Sequence, residues 1–109
     1  MDSARARDAL GALSHGTRLN AFRLLVRSEP AGLAAGEIAR QLNVPSNTLS
    51  NHLAILSRAA LLSSERKSRS LIYRADIPAL GALMVFLAKD CCGGRDELCG
   101  PLIQELACC

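Results

Sequence analysis

The first ninety residues contain no cysteine, and the whole chain of 109 contains no tryptophan. Aromatic rings are limited to Phe22, Phe86 and Tyr73. A core so short of rings must be filled by Ala and Leu, which favour helix over sheet. It is also thin for a chain of one-domain length, so a partner subunit would add stability. Long apolar runs are missing too: the longest, Ile77 to Ala88, has twelve residues, well short of the ~20 that a membrane-spanning helix needs. Met1 to Leu10 has no apolar segment of signal-peptide type. These absences argue against a membrane role and predict a cytoplasmic protein, where thiols stay reduced.

Charge is uneven along the chain. Residues 1–90 carry twelve basic and seven acidic side chains, a balance of +5, whereas residues 91–109 carry Arg95 against Asp96, Glu97 and Glu105, a balance of −2. The basic body suits nucleic acid, although a charge of this size is common in ordinary proteins. The division predicts two parts: a body at 1–90 and a cysteine-rich tail at 91–109.

Within the body, Leu10, Leu13, Leu19, Phe22, Leu25 and Val26 recur at helical spacing. Gly16 and Thr17 should break this stretch into two helices, with Ser14 or Thr17 as the cap. Pro30 and Gly32 end the second. A short helix is expected from Ala35 to Leu42. In "NVP", Asn43 tolerates a left-handed turn and Pro45 opens the next helix. Ser46 is placed to cap that helix, whose Leu49, Leu53 and Leu56 form a buried face. Two helices around a three-residue turn match a helix-turn-helix, in which the second helix enters the DNA major groove. The period then changes. Leu62, Ser64 and Arg66, then Leu71, Tyr73 and Ala75, alternate around the polar tip "ERKSRS", which reads as a β-hairpin. A last helix, Ile77 to Lys89, is apolar nearly all round and therefore predicts a dimer interface. The fold expected is mainly α with one β-hairpin: a dimeric winged helix-turn-helix.

On such a helix, short polar side chains reach base edges and hydroxyl or basic groups reach phosphates. Ser46, Asn47, Thr48, Ser50, Asn51 and His52 are the candidates, against the alternative of a solvated polar face. Asn47 and Asn51 lie one turn apart, and asparagine can pair bidentately with adenine. His52 fits a packing or phosphate contact better than a base contact. Arg66, Lys67 and Arg69 at the hairpin tip would reach the minor groove or phosphates, unless they are only an exposed charged turn.

"LSHGTRLNAFRLL", "AGEIARQLNVPSNTLSNHLAILSRAALL" and "SERKSRSLIYRAD" together resemble the ArsR/SmtB family of metal- and metalloid-responsive repressors, over roughly residues 8–88. The most specific pieces are "TRL" at Thr17–Leu19, "SNHLAIL" at Ser50–Leu56 and "YR" at Tyr73–Arg74. Ala60 and Ser68 depart from the pattern, because the family usually has glycine at both places. The resemblance implies a homodimer built on the first and last helices, bound to double-stranded operator DNA and released by an inducer.

All five cysteines lie in the tail, as Cys91, Cys92, Cys99, Cys108 and Cys109. Structural disulfides are disfavoured by compartment and by the odd number. Structural zinc favours cysteine pairs separated by two to four residues, and none exists. Zinc-sensing relatives carry His and Asp on the last helix, which here has no histidine. A soft ion bound by thiolates alone fits best: trivalent arsenic or antimony takes three sulfurs in a pyramid. Gly93 and Gly94 let Cys99 fold back towards Cys91 and Cys92, and Lys89 and Arg95 favour thiolates. Some arsenic-responsive members of the family resemble this arrangement. Cys91, Cys92 and Cys99 are therefore the expected trio, with the role of Cys108 and Cys109 open. Zinc/cadmium sensing and thiol-redox sensing remain the alternatives. An enzyme is not expected: no Arg follows Cys91 or Cys92 at the spacing of phosphatase-like arsenate reductases, and neither His15 nor His52 lies near a cysteine in sequence. No cofactor is required beyond As(III), or Sb(III), as inducer.

Overall fold

The computed structural model describes residues 1–90 together with Gly100, Pro101, Gln104 and Glu105. The five cysteines, and the thiolate site expected of them, lie outside the described residues. Within residues 1–90, five α-helices and three short strands follow one another: α1 (Ser3–Leu13), α2 (Gly16–Arg27), β1 (Leu33–Ala34), α3 (Ala35–Leu42), α4 (Ser46–Arg58), β2 (Leu62–Lys67), β3 (Ser70–Ala75) and α5 (Ile77–Val85). The strands form one antiparallel sheet in the order β1-β3-β2. This is a winged helix-turn-helix, as the hydrophobic periods require.

The core is built from Ala and Leu, the residues the composition offers. α1 buries Ala6, Ala9 and Ala12, a face of methyl groups that allows close approach of its neighbours. Phe22, Leu24 and Leu25 of α2 meet Ile38 of α3 and Leu49, Leu53 and Leu56 of α4, and Leu61, Leu62, Ala75 and Leu83 complete the cluster. Full burial of one leucine contributes roughly 1.5–3 kcal/mol, so the three leucines of α4 hold that helix firmly on the body.

The helix ends differ from the sequence reading in chemistry rather than position. Neither Ser14 nor Thr17 caps α2. His15 does: its Nδ1 accepts from the Thr17 N–H at 3.2 Å, while the Ser14 hydroxyl donates to the Gly11 carbonyl at 2.7 Å, at the end of α1. Ser46 does not cap α4 either. Pro45 holds the cap position without a side-chain bond, and Ser46 is the first helical residue. Asp76 caps α5, its carboxylate accepting from the Ala79 N–H at 3.0 Å. The last helix was expected to run to Lys89; instead α5 stops at Val85 and continues as a wider, π-helical turn over Phe86–Asp90.

Strand β1 was not anticipated. It pairs Leu33 with Tyr73 and Ala34 with Ile72, adding a third strand to the hairpin. Gly32 makes the entry possible. Its φ is +73°, and a Cβ there would lie 2.5 Å from the Tyr73 carbonyl oxygen. Among the described residues, no helix is long and apolar enough to cross a membrane.

Candidate nucleic-acid interface

The turn between α3 and α4 sets the site. Asn43 takes the left-handed conformation, φ 55° and ψ 50°. The Val44 N–H then reaches back to the Ala39 carbonyl at 3.0 Å, satisfying the end of α3. α4 emerges with Leu49, Leu53 and Leu56 buried, so its other faces are left to solvent. Ser46, Asn47, Thr48, Ser50 and Asn51 are all exposed. Asn47 and Asn51 sit four residues apart and so share a face, about 6 Å apart along the axis. The Asn47 side-chain oxygen accepts from the Thr48 N–H at 2.9 Å, and the Ser50 hydroxyl donates to the Ser46 carbonyl at 3.0 Å. Asn51 carries a full set of amide donors and acceptors on an exposed surface.

His52 is placed differently from its neighbours. It is half-buried, its Nδ1 lies 3.3 Å from Nη1 of Arg18, and its ring centroid is 4.5 Å from that of His15. Burial first, then the nearby His15 and Arg18, hold its pKa below the usual histidine value. The imidazole therefore faces the junction of α1 and α2, apart from the exposed asparagines.

The hairpin supplies the second group. Arg66 and Lys67 end β2, Arg69 lies in the two-residue tip, and all three are exposed. The base of the hairpin is braced by a contact the sequence reading missed. Arg74 donates from Nε and Nη2 to both carboxylate oxygens of Glu29, at 2.9 and 2.8 Å, a two-bond fork that fixes orientation as well as distance. Hydrogen bonding from Arg74 lowers the Glu29 pKa. The "YR" motif signalled Arg74, but its partner, 45 positions earlier, carried no local signal. Arg18 was likewise legible only as part of "TRL". On α3, Arg40 pairs with Glu37, whose pKa falls to about 2; this exposed pair lies beside the turn.

Among the described residues, no group of three or more His, Cys, Asp or Glu is gathered in a way that could hold a metal ion. Cys91, Cys92, Cys99, Cys108 and Cys109 lie outside the described residues.

An exposed polar helix on a leucine base, preceded by a tight turn and flanked by a basic hairpin, defines a helix-turn-helix DNA-binding protein. Residues 13–65 match the helix-turn-helix domain family. The chain shares its fold with solved ArsR-like transcriptional regulators. It is similar to an ArsR-like transcriptional regulator from Rhodococcus sp. RHA1, at 25% identity and a TM-score of 0.73, over 95% of this chain and 93% of that one. Two further structures share the fold. One is a homodimeric winged helix-turn-helix domain from Mycobacterium bovis, described as a possible ArsR-family regulator (24% identity, TM-score 0.63, 84% and 85% covered). The other is a possible transcriptional regulator for arsenical resistance (23% identity, TM-score 0.65, 90% and 95% covered). No curated protein sequence matches the chain at a significant level.

Proposed function

We propose that the chain is an arsenite-responsive transcriptional repressor that grips a two-fold operator as a homodimer and lets go when As(III) or Sb(III) binds its tail. The observation that carries the DNA half is the exposed run Ser46, Asn47, Thr48, Ser50 and Asn51 on a helix whose opposite face is locked into the core. Asn47 and Asn51 would read bases, and Arg66, Lys67 and Arg69 would hold phosphates or the minor groove. The dimer reading is supported by α5 and its π-helical extension, where Ile77, Val85 and Leu87 are 41%, 56% and 40% exposed. That much apolar surface on one short element suits a second copy of the chain, and the homodimeric relative of the same fold agrees.

The inducer half rests on sequence chemistry. Cys91 directly follows the element that carries the exposed apolar surface. Drawing Cys91, Cys92 and Cys99 around a soft ion would pull on that element, alter the dimer and change the spacing of the two α4 helices. The same thiols could serve an oxidant or zinc, and one titration separates these. Reduced full-length protein is bound to a fluorescent duplex that it has itself selected from a random-sequence pool, then challenged with arsenite, antimonite, zinc, cadmium or peroxide. Arsenite should release the wild type and leave Cys99→Ser bound. Release of Cys99→Ser at wild-type arsenite concentrations refutes the trio, and release by zinc or peroxide alone refutes the arsenite reading.

A further inference from the structure

One guanidinium joins three helices. Arg18, near the start of α2, donates from Nε to the Ala12 carbonyl at 2.7 Å, in the last turn of α1. Its Nη1 stands 3.3 Å from Nδ1 of His52, midway along α4. Arginine can only donate, so Nδ1 of His52 accepts and its proton sits on Nε2. The charged or titratable groups acting on His52 are Arg18 from α2 and His15 from the α1–α2 junction. His15 is itself held in place, its Nδ1 accepting from the Thr17 N–H.

We infer that Arg18 is a positioning residue for base reading: by bridging the end of α1 to a neutral His52, it fixes how α4 is turned on the body. This rests on the reading of α4 as the recognition helix. Asn51 immediately precedes His52 and Asn47 lies one turn earlier, so a small rotation of α4 about its leucine face displaces both amides from their bases. Arg18 touches no DNA in this scheme. The leucines hold α4 on the body through non-directional packing; the contact to Arg18 adds a directional constraint on its turn. The link also has a chemical condition. An imidazolium has no lone pair to accept with and would set a cation against the guanidinium, so acid opens the contact. Burial, His15 and Arg18 all favour the neutral ring, which keeps the bridge closed at neutral pH.

The test uses full-length protein without arsenite, the duplex selected by the wild type and an unselected duplex of equal length. Affinity for each is followed from about pH 7.5 to about pH 5.5, a range that spans ordinary histidine titration. The wild type should lose affinity for the selected duplex on acidification by a few-fold, short of the ~tenfold that an ordinary histidine would show one pH unit below its pKa, because burial lowers that of His52, with much less change on the unselected duplex. His52→Gln keeps an acceptor and removes the titration, so it should bind the selected duplex normally and lose far less of that affinity in acid. His52→Leu and Arg18→Lys should show reduced selectivity throughout, with circular dichroism and thermal unfolding verifying that they fold. A His52→Gln profile that falls with the wild type overturns the inference, and so does normal selectivity in folded His52→Leu. If the wild type selects no duplex at all, the recognition-helix reading fails and the inference falls with it. If the wild type selects and the variants match it, only the inference fails.

Discussion

Ala60 and Ser68 both have positive φ, 63° and 56°, at the two positions where the resembled family usually has glycine. The backbone thus keeps a left-handed shape at both places in spite of a Cβ, which costs roughly 1–2 kcal/mol per residue. Replacing Ala60 by glycine relieves that strain but also enlarges the freedom of the unfolded chain by about 0.4–1 kcal/mol. The net expectation for Ala60→Gly is a gain of about 0.5–1 kcal/mol, read as a rise of a few degrees in the thermal midpoint; a fall would show that Ala60 is unstrained. Glu29 makes a second prediction. Its pKa is lowered chiefly by hydrogen bonds from Arg74, so the folded state binds its proton less readily than the unfolded state. The stabilisation is therefore present above the ordinary glutamate value and is lost as pH falls through the lower folded value. Between about pH 5 and about pH 3, wild type should lose more stability than Glu29→Gln in urea unfolding at each pH. Equal losses would mean that the Arg74 fork is open in solution. At this scale the sequence spoke unevenly. The left-handed turn at Asn43 was legible because asparagine tolerates it, while the His15 cap was not, because histidine is a rare cap and serine and threonine stood on either side.

Elements were legible where a period persisted. α3 and α4 were legible from their buried positions, Ile38 on one and Leu49, Leu53 and Leu56 on the other, although the cap of α4 was not. β1 was not, because two residues, Leu33 and Ala34, carry no period and their pairing with Tyr73 and Ile72 is settled some forty positions away. The π-helical turn at Phe86–Asp90 was equally hidden: the apolar pattern continues unbroken while the backbone widens. The hairpin was legible from alternation, and its role makes an element-scale prediction. If Lys67 contacts a phosphate, Lys67→Ala should weaken selected and unselected duplexes alike and reduce the log–log salt slope by ~1 per site. An unchanged slope would make the hairpin tip a solvated charged turn.

At the scale of the whole molecule, the proposed function joins a DNA-reading body to a thiol-bearing tail through α5 and its extension. The body was readable from sequence because burial imposes patterns. The grouping of thiols around an ion is a matter of three-dimensional placement that spacing constrains only loosely. The exposed Val85 and Leu87 precede Cys91 by six and four positions in the sequence, which is why, under the proposed function, an ion held by the tail would act on α5. Binding linkage then supplies a requirement that no rearrangement of details can avoid: if arsenite weakens DNA binding by some factor, DNA must weaken arsenite binding by the same factor. The direct measurement is the arsenite affinity of the reduced protein, free and saturated with its selected duplex, beside the duplex affinity with and without arsenite. The account predicts two equal ratios, both well above unity, and their disappearance in Cys99→Ser. Arsenite bound with equal affinity by the free and DNA-saturated protein would contradict it.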